Sequence, residues 1–139
     1  MSGEMALAGT IVKGVGQANY FTGLEWVQEQ CLIKLGFKPF PGTLNVELSK
    51  KDARFIRKLR GNGVELVSPD PAFCSARALP VSIGHLPGAI IIPADDVNVH
   101  GKDIVEIISP VRIKDALGVG DGDRITIDLT DCSKIPTCC

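Results

Sequence analysis

Apolar and polar positions change their rhythm every few residues along this chain. Leu7 to Lys13 (LAGTIVK) carries β-branched residues and runs into Gly14-Val15-Gly16, the pattern of a strand ending at a glycine turn. From Leu24 to Leu35 the period lengthens. Leu24, Val27, Cys31, Leu32 and Leu35 fall at helical spacing, and Gly36 stands where a C′ glycine belongs. Pro39, Pro41 and Gly42 make a rigid, extended entry to a half-buried strand, in which Leu44, Val46 and Leu48 alternate with Asn45 and Glu47. Ser49 is placed to cap a helix over Lys50 to Leu59, with Ala53, Ile56 and Leu59 inward and most of the basic residues outward. Val64 to Val67 predicts a short strand and Pro69-Asp70-Pro71 a turn. Phe73 to Ile83 and Ala89 to Ile92 predict paired strands joined through Gly84 to Gly88. Asp95 to Asp103 reads as a polar loop, Val105 to Ile108 as a strand, and Val111 to Leu117 as one or two helical turns. A tight turn at Gly118 to Asp123 leads to a last strand, Arg124 to Leu129, where Ile125, Ile127 and Leu129 alternate with polar residues. Short strands joined mostly by turns, with few helices, predict a mainly β domain closed into a barrel, because closure removes exposed edges. An α+β sandwich is the alternative.

Length and charge narrow the function. The 139 residues predict one domain over 1–139, with 1–6 and 130–139 expected to fray. Fifteen basic and 16 acidic side chains leave a formal net charge of −1, which argues against a strongly basic nucleic-acid binder. Tyr20 and Trp26 are too few for a single-strand stacking platform. Phosphate chemistry would therefore use local groups. Met1 to Ala8 lacks the basic and apolar regions of a secretory signal. The best apolar run, Leu86 to Ala94, is interrupted by Pro87, Gly88 and Pro93 and predicts no membrane span. Cys31, Cys74, Cys132, Cys138 and Cys139 show no C-x-x-C spacing. Cys132, Cys138 and Cys139 could bind a soft metal, but a reduced tail is the simpler reading. A cytoplasmic protein is expected.

Four segments could carry chemistry. Gly14-Val15-Gly16-Gln17-Ala18-Asn19 follows a strand, and successive amides in such a bend make an anion nest, although a plain turn has the same spelling. Strand alternation puts Thr43 and Asn45 on one face, opposite Leu44. Their hard oxygens suit Mg²⁺, which keeps waters and shares substrate phosphates; hydrogen bonding to the Pro-Gly turn is the plainer role. Glu106 interrupts an apolar strand and could take a substrate hydroxyl's proton if its face lines a pocket, or lie in solvent. Val111, Arg112, Ile113 and Lys114 open a short helix whose amides and cations suit a phosphate or an acceptor-rich base; a solvated helix face is the alternative. His85 is expected exposed in a turn, and His100 on a loop surface.

The order and spelling of these pieces add a further clue. Gly14-Val-Gly-Gln-Ala-Asn-Tyr-Phe21, Leu35-Gly-Phe-Lys-Pro-Phe-Pro-Gly-Thr-Leu-Asn-Val46, Glu106-Ile-Ile-Ser-Pro110 and Leu117-Gly-Val-Gly-Asp-Gly-Asp123 resemble the archaeal CTP-dependent riboflavin kinase family from about Leu7 to Leu129. That resemblance implies a six-stranded cradle-loop (RIFT-type) β-barrel with two or three short helices. It implies transfer of the CTP γ-phosphate to the riboflavin 5′-hydroxyl, giving FMN and CDP. Carried over motif by motif, Gly14 to Asn19 and Val111 to Lys114 would hold the nucleotide. Thr43 and Asn45 would ligate Mg²⁺, and Glu106 would meet the flavin's ribityl or phosphate end. Asn98 stands nearest to a flavin-contacting threonine of the family. Gln17-Ala18 stands where the family carries Glu-Gly, Lys114 where it carries Arg, and 94–100 is longer and more acidic. Riboflavin and CTP are the expected partners of a monomer, with neither nucleic acid nor membrane. The alternatives are a related kinase for another small alcohol, or a non-enzymatic swapped-hairpin barrel binding DNA or a partner.

Overall fold

The computed structural model describes residues 6–14, 22–59, 63–69, 76–93 and 103–129. These contain seven strands: β1 (Ala6–Val12), β2 (Leu44–Glu47), β3 (Val64–Leu66), β4 (Ala76–Ile83), β5 (Leu86–Pro93), β6 (Ile104–Ile108) and β7 (Arg124–Asp128). Three helices accompany them: α1 (Glu25–Leu35), α2 (Lys50–Lys58) and α3 (Ile113–Leu117). All pairings are antiparallel, in the order β3-β4-β5-β6-β2-β1-β7. A further pair, Ser82 with Asp128, joins β4 to β7 and turns six of the strands into a ring, with β3 added outside it. The predicted six-stranded closure corresponds to this ring, and the sandwich alternative does not describe it.

Period-2 alternation sends every second residue of the ring to one shared core. Leu7 and Ile11 of β1, Val46 of β2, Leu79 of β4, Ile90 of β5, Ile107 of β6 and Ile127 of β7 belong to the same buried cluster. Ala53 and Ile56 of α2 and Ile113 of α3 join it. The outward face of β4–β6 carries a second cluster. Val27 and Cys31 of α1 pack there with Val64, Leu66, Ala78, Ala89 and Ile108. Helix α1 also covers the free edge of β3: the Gln30 amide donates to the Val67 carbonyl at 2.7 Å and accepts from the Val67 N–H at 2.8 Å. A side chain here does what another strand would otherwise do.

Local signals place most element ends. Gly36 closes α1 in the left-handed conformation, φ 88°, and its N–H bonds the Cys31 and Leu32 carbonyls. The Ser49 hydroxyl accepts from the Asp52 N–H and starts α2. Two predictions need correction. The β4–β5 turn is only Gly84-His85, so β5 begins at Leu86 and includes the Pro87-Gly88 pair assigned to the connection. Gly84 has φ 63°, which suits a two-residue hairpin. Pro87, which has no N–H, faces Ser82 while its carbonyl accepts the Ser109 hydroxyl. Helix α3 begins at Ile113 instead of Val111, because Arg112 stays extended as its N-cap. The predicted strand residues 73–75, the loop at 94–102 and the tail from 130 lie outside the described residues.

Candidate active site

The segment before β2 is held from two sides. Phe40 N–H donates to the Ser109 carbonyl at 2.8 Å, after the end of β6. Gly42 N–H donates to the hydroxyl of the fully buried Thr22 at 2.7 Å. Gln28 Nε2 bridges the Thr22 and Pro39 carbonyls at 2.6 and 2.8 Å. The Phe-Pro-Gly bend therefore enters β2 in a fixed direction, and Thr43 is the next residue.

From that bend the Thr43 hydroxyl donates to Glu106 Oε1 at 3.0 Å, across 63 residues of sequence. The β2–β6 register places Asn45 opposite Glu106, and the β1–β2 register places Val12 opposite Asn45. Gly14, two residues beyond Val12, lies against the Asn45 amide: a Cβ built on it would sit 2.3 Å from Asn45 Nδ2. Absence of a side chain at Gly14 is thus what lets the bend approach Asn45. Thr43, Asn45 and Glu106 are all half-buried. They lie on the face opposite Leu44, Val46 and Ile107, whose side chains fill the ring. Glu106 is therefore neither in the core nor free in solvent. The site sits on the outer wall of the ring, not within it.

A pocket of about 490 Å³ opens beside Thr43. Phe40 to Leu44, Ile107, Ser109 and Val111 to Lys114 line it. Thr43 of the predicted oxygen-ligand pair thus shares one cavity with the predicted phosphate-side segment, while Asn45 and Glu106 are not among its lining residues. Its cations are restrained: Arg112 pairs with Asp115 at 2.6 Å and Lys114 with Asp121 at 2.8 Å. Ile113 is buried in the core, so only its main chain can face a ligand. His85 is exposed in its turn. Of the predicted glycine-loop residues only Gly14 is described; Val15, Gly16, Gln17, Ala18 and Asn19, together with Asn98 and His100, lie outside the described residues.

The oxygen set can be tested against a metal. Among the described residues no three His, Cys, Asp or Glu side chains gather as a metal cluster. What Thr43, Asn45 and Glu106 offer is one hydroxyl, one amide oxygen and a carboxylate bonded to the hydroxyl. These are hard, mostly neutral donors, which fit a Mg²⁺ ion that takes the rest of its shell from water and phosphate.

Sequence reasoning missed Thr22, Gln28, Asp115 and Asp121. Thr22 stands two residues ahead of Leu24, the N-cap of α1, and its hydroxyl accepts from the Gly42 N–H, a partner 20 residues away. Asp115 was visible in principle, three residues after Arg112 on a helical turn.

Residues 11–129 match the model of a family described as CTP-dependent riboflavin kinase, a domain of unknown function DUF120. Among curated proteins, the chain is 37% identical over 131 residues to a riboflavin kinase of Archaeoglobus fulgidus, covering 91% of this chain and 55% of that protein. It is 34% identical over 135 residues to a riboflavin kinase of Methanoregula boonei, covering 91% and 58%. A riboflavin kinase of Saccharolobus solfataricus is 33% identical over 132 residues, covering 91% and 74%. The chain thus spans little more than half the length of the first two.

Proposed function

Because the chain belongs to the CTP-dependent riboflavin kinase family, we propose that it phosphorylates riboflavin at the 5′-hydroxyl, using CTP as donor and releasing FMN and CDP. The observation that carries this reading is the meeting of Thr43, Asn45 and Glu106 from two strands beside Gly14. Those residues come from separate blocks of sequence and supply the donor types that phosphoryl transfer needs.

Phosphoryl transfer passes through a loose transition state, so the protein's work is alignment and charge stabilisation. Thr43 and Asn45 would hold Mg²⁺, which when bound neutralises phosphate charge. Because the Thr43 hydroxyl gives its hydrogen to Glu106, its lone pairs remain directed away from that carboxylate and can face a cation. Glu106 then has two tasks: it orients Thr43, and its carboxylate can receive the riboflavin hydroxyl's hydrogen bond or proton. Arg112, Lys114 and the main chain from Val111 line the same pocket as Thr43 and would contact the nucleotide. Lys114 keeps its charge but lacks the planar fork of an arginine, so it would act as a point charge there. Gly14 opens the segment that would wrap the phosphates with main-chain amides.

The test is direct. The purified chain is incubated with riboflavin, Mg²⁺ and either CTP or ATP, and the products are separated for FMN. FMN with CTP, and far less with ATP, is the expected result. FMN only with ATP would overturn the donor, and no FMN with either would overturn the kinase reading.

A further inference from the structure

We propose that Thr22, assisted by Gln28, is a positioning residue for phosphoryl transfer: buried beneath the Phe-Pro-Gly bend, it sets the direction in which Thr43 leaves that bend. The inference rests on the kinase reading of Thr43. Thr22 is fully buried, yet a threonine brings a hydroxyl that an apolar interior does not need. That hydroxyl accepts the N–H of Gly42, the residue immediately before Thr43, at 2.7 Å. Gln28 fixes Thr22 in turn. Its Nε2 bonds the Thr22 carbonyl at 2.6 Å and the Pro39 carbonyl at 2.8 Å, so one amide group spans both sides of the tie.

The three bonds lock residues 22, 28, 39 and 42 into one small frame, while Phe40 N–H is taken from the opposite side by Ser109. Gly42 itself has φ 102°, a conformation that few other residues would hold. Thr43 emerges from this frame with its hydroxyl on Glu106. Without the Thr22 acceptor, the Gly42 N–H would have to find another partner or go unpaired, and the peptide would turn to seek one. A hydroxyl that must serve as a ligand tolerates little such movement, and supporting groups of this kind commonly change metal affinity by about 10–100-fold. Thr22 touches neither substrate nor metal in this scheme. It acts through Gly42.

The experiment measures FMN formation against Mg²⁺ concentration at saturating CTP and riboflavin, for the unaltered chain, Thr22→Val, Thr22→Ser and Gln28→Met. Amide hydrogen exchange at Gly42 is followed in the same proteins without nucleotide. Thr22→Val is expected to need about tenfold more Mg²⁺ for half-maximal rate and to exchange the Gly42 amide faster, with the KM for riboflavin unchanged. Thr22→Ser keeps the acceptor and should restore both. Gln28→Met should shift both in the same direction as Thr22→Val, and carries the test if Thr22→Val does not fold. A purely structural role would lower the melting temperature and leave the Mg²⁺ dependence where it was. That result in a folded variant, or an unmoved Gly42 amide, overturns the proposal. Absence of FMN from the unaltered chain sinks the kinase reading first, and this inference falls with it.

Discussion

Thr43, Asn45 and Glu106 stand on the outer face of the ring, so changing them tests the proposed chemistry without opening the core. Glu106→Gln and Asn45→Ala are each expected to keep the melting temperature within a few degrees and to lower FMN turnover by roughly 10²–10³, the usual cost of losing one preorganised electrostatic contact. Near-normal turnover in both would remove the site assignment. Gly14→Ala tests the same corner by steric means. Its new Cβ would lie 2.3 Å from Asn45 Nδ2, the far end of a side chain that can swing away. The fold should survive while Asn45 is displaced, and the Mg²⁺ requirement should rise as it does for Asn45→Ala; an unchanged requirement would separate Gly14 from Asn45. The shared face of Thr43 and Asn45 was legible in the sequence because strand alternation alone fixes it. The partnership with Glu106 was not. It depends on the register between β2 and β6, and no residue within either strand states which partner it will meet.

Elements follow the same division between local and distant causes. Helix α2 was legible because its signals are its own: Ser49 before it, Ala53 and Ile56 inward, cations outward. Ser49→Ala should cost about 1 kcal/mol of stability through the lost bond to Asp52 N–H, read as a lower denaturation midpoint. FMN turnover should not change, because α2 supplies none of the site's side chains. A fall in turnover at unchanged stability would argue that α2 bears on the site. The β4–β5 hairpin was harder. Pro87 and Gly88 look like breakers, and only tertiary facts keep them in a strand: Ser82 lies opposite, and Ser109 takes the Pro87 carbonyl. β3 is the extreme case, a three-residue strand whose Glu65 carbonyl is bonded by Lys34 and whose next residue, Val67, is bonded by Gln30, 37 residues away. Nothing near Val64 in the sequence announces that cover.

At the scale of the whole molecule, closure was legible only as a tendency. Many short strands favour a ring, but the closing contact among the described residues is one pair, Ser82 with Asp128, on the part of β4 beyond its pairing with β3. The second cluster was less visible still, because α1 shows one apolar stripe and gives no sign of which sheet face receives it. That cluster makes a global prediction through Cys31. Its thiol is fully buried beside Val27, and burial raises its pKa from 9.0 to about 11, a rise that Lys34 opposes only weakly. Below pH 9 the thiol is protonated whether the chain is folded or not, so it adds no pH dependence. Between pH 9 and 11 the unfolded chain releases this proton first and the folded chain retains it. Unfolding is then favoured as pH rises, and stability falls across that interval. The informative quantity is a difference between two chains. Urea midpoints measured from pH 8 to 11 should drop more steeply for the unaltered chain than for Cys31→Ala, whose stability at pH 8 is already lower because a buried side chain has been shortened. Parallel slopes would mean that the folded protein admits the thiolate, and that α1 does not seal this face of the ring.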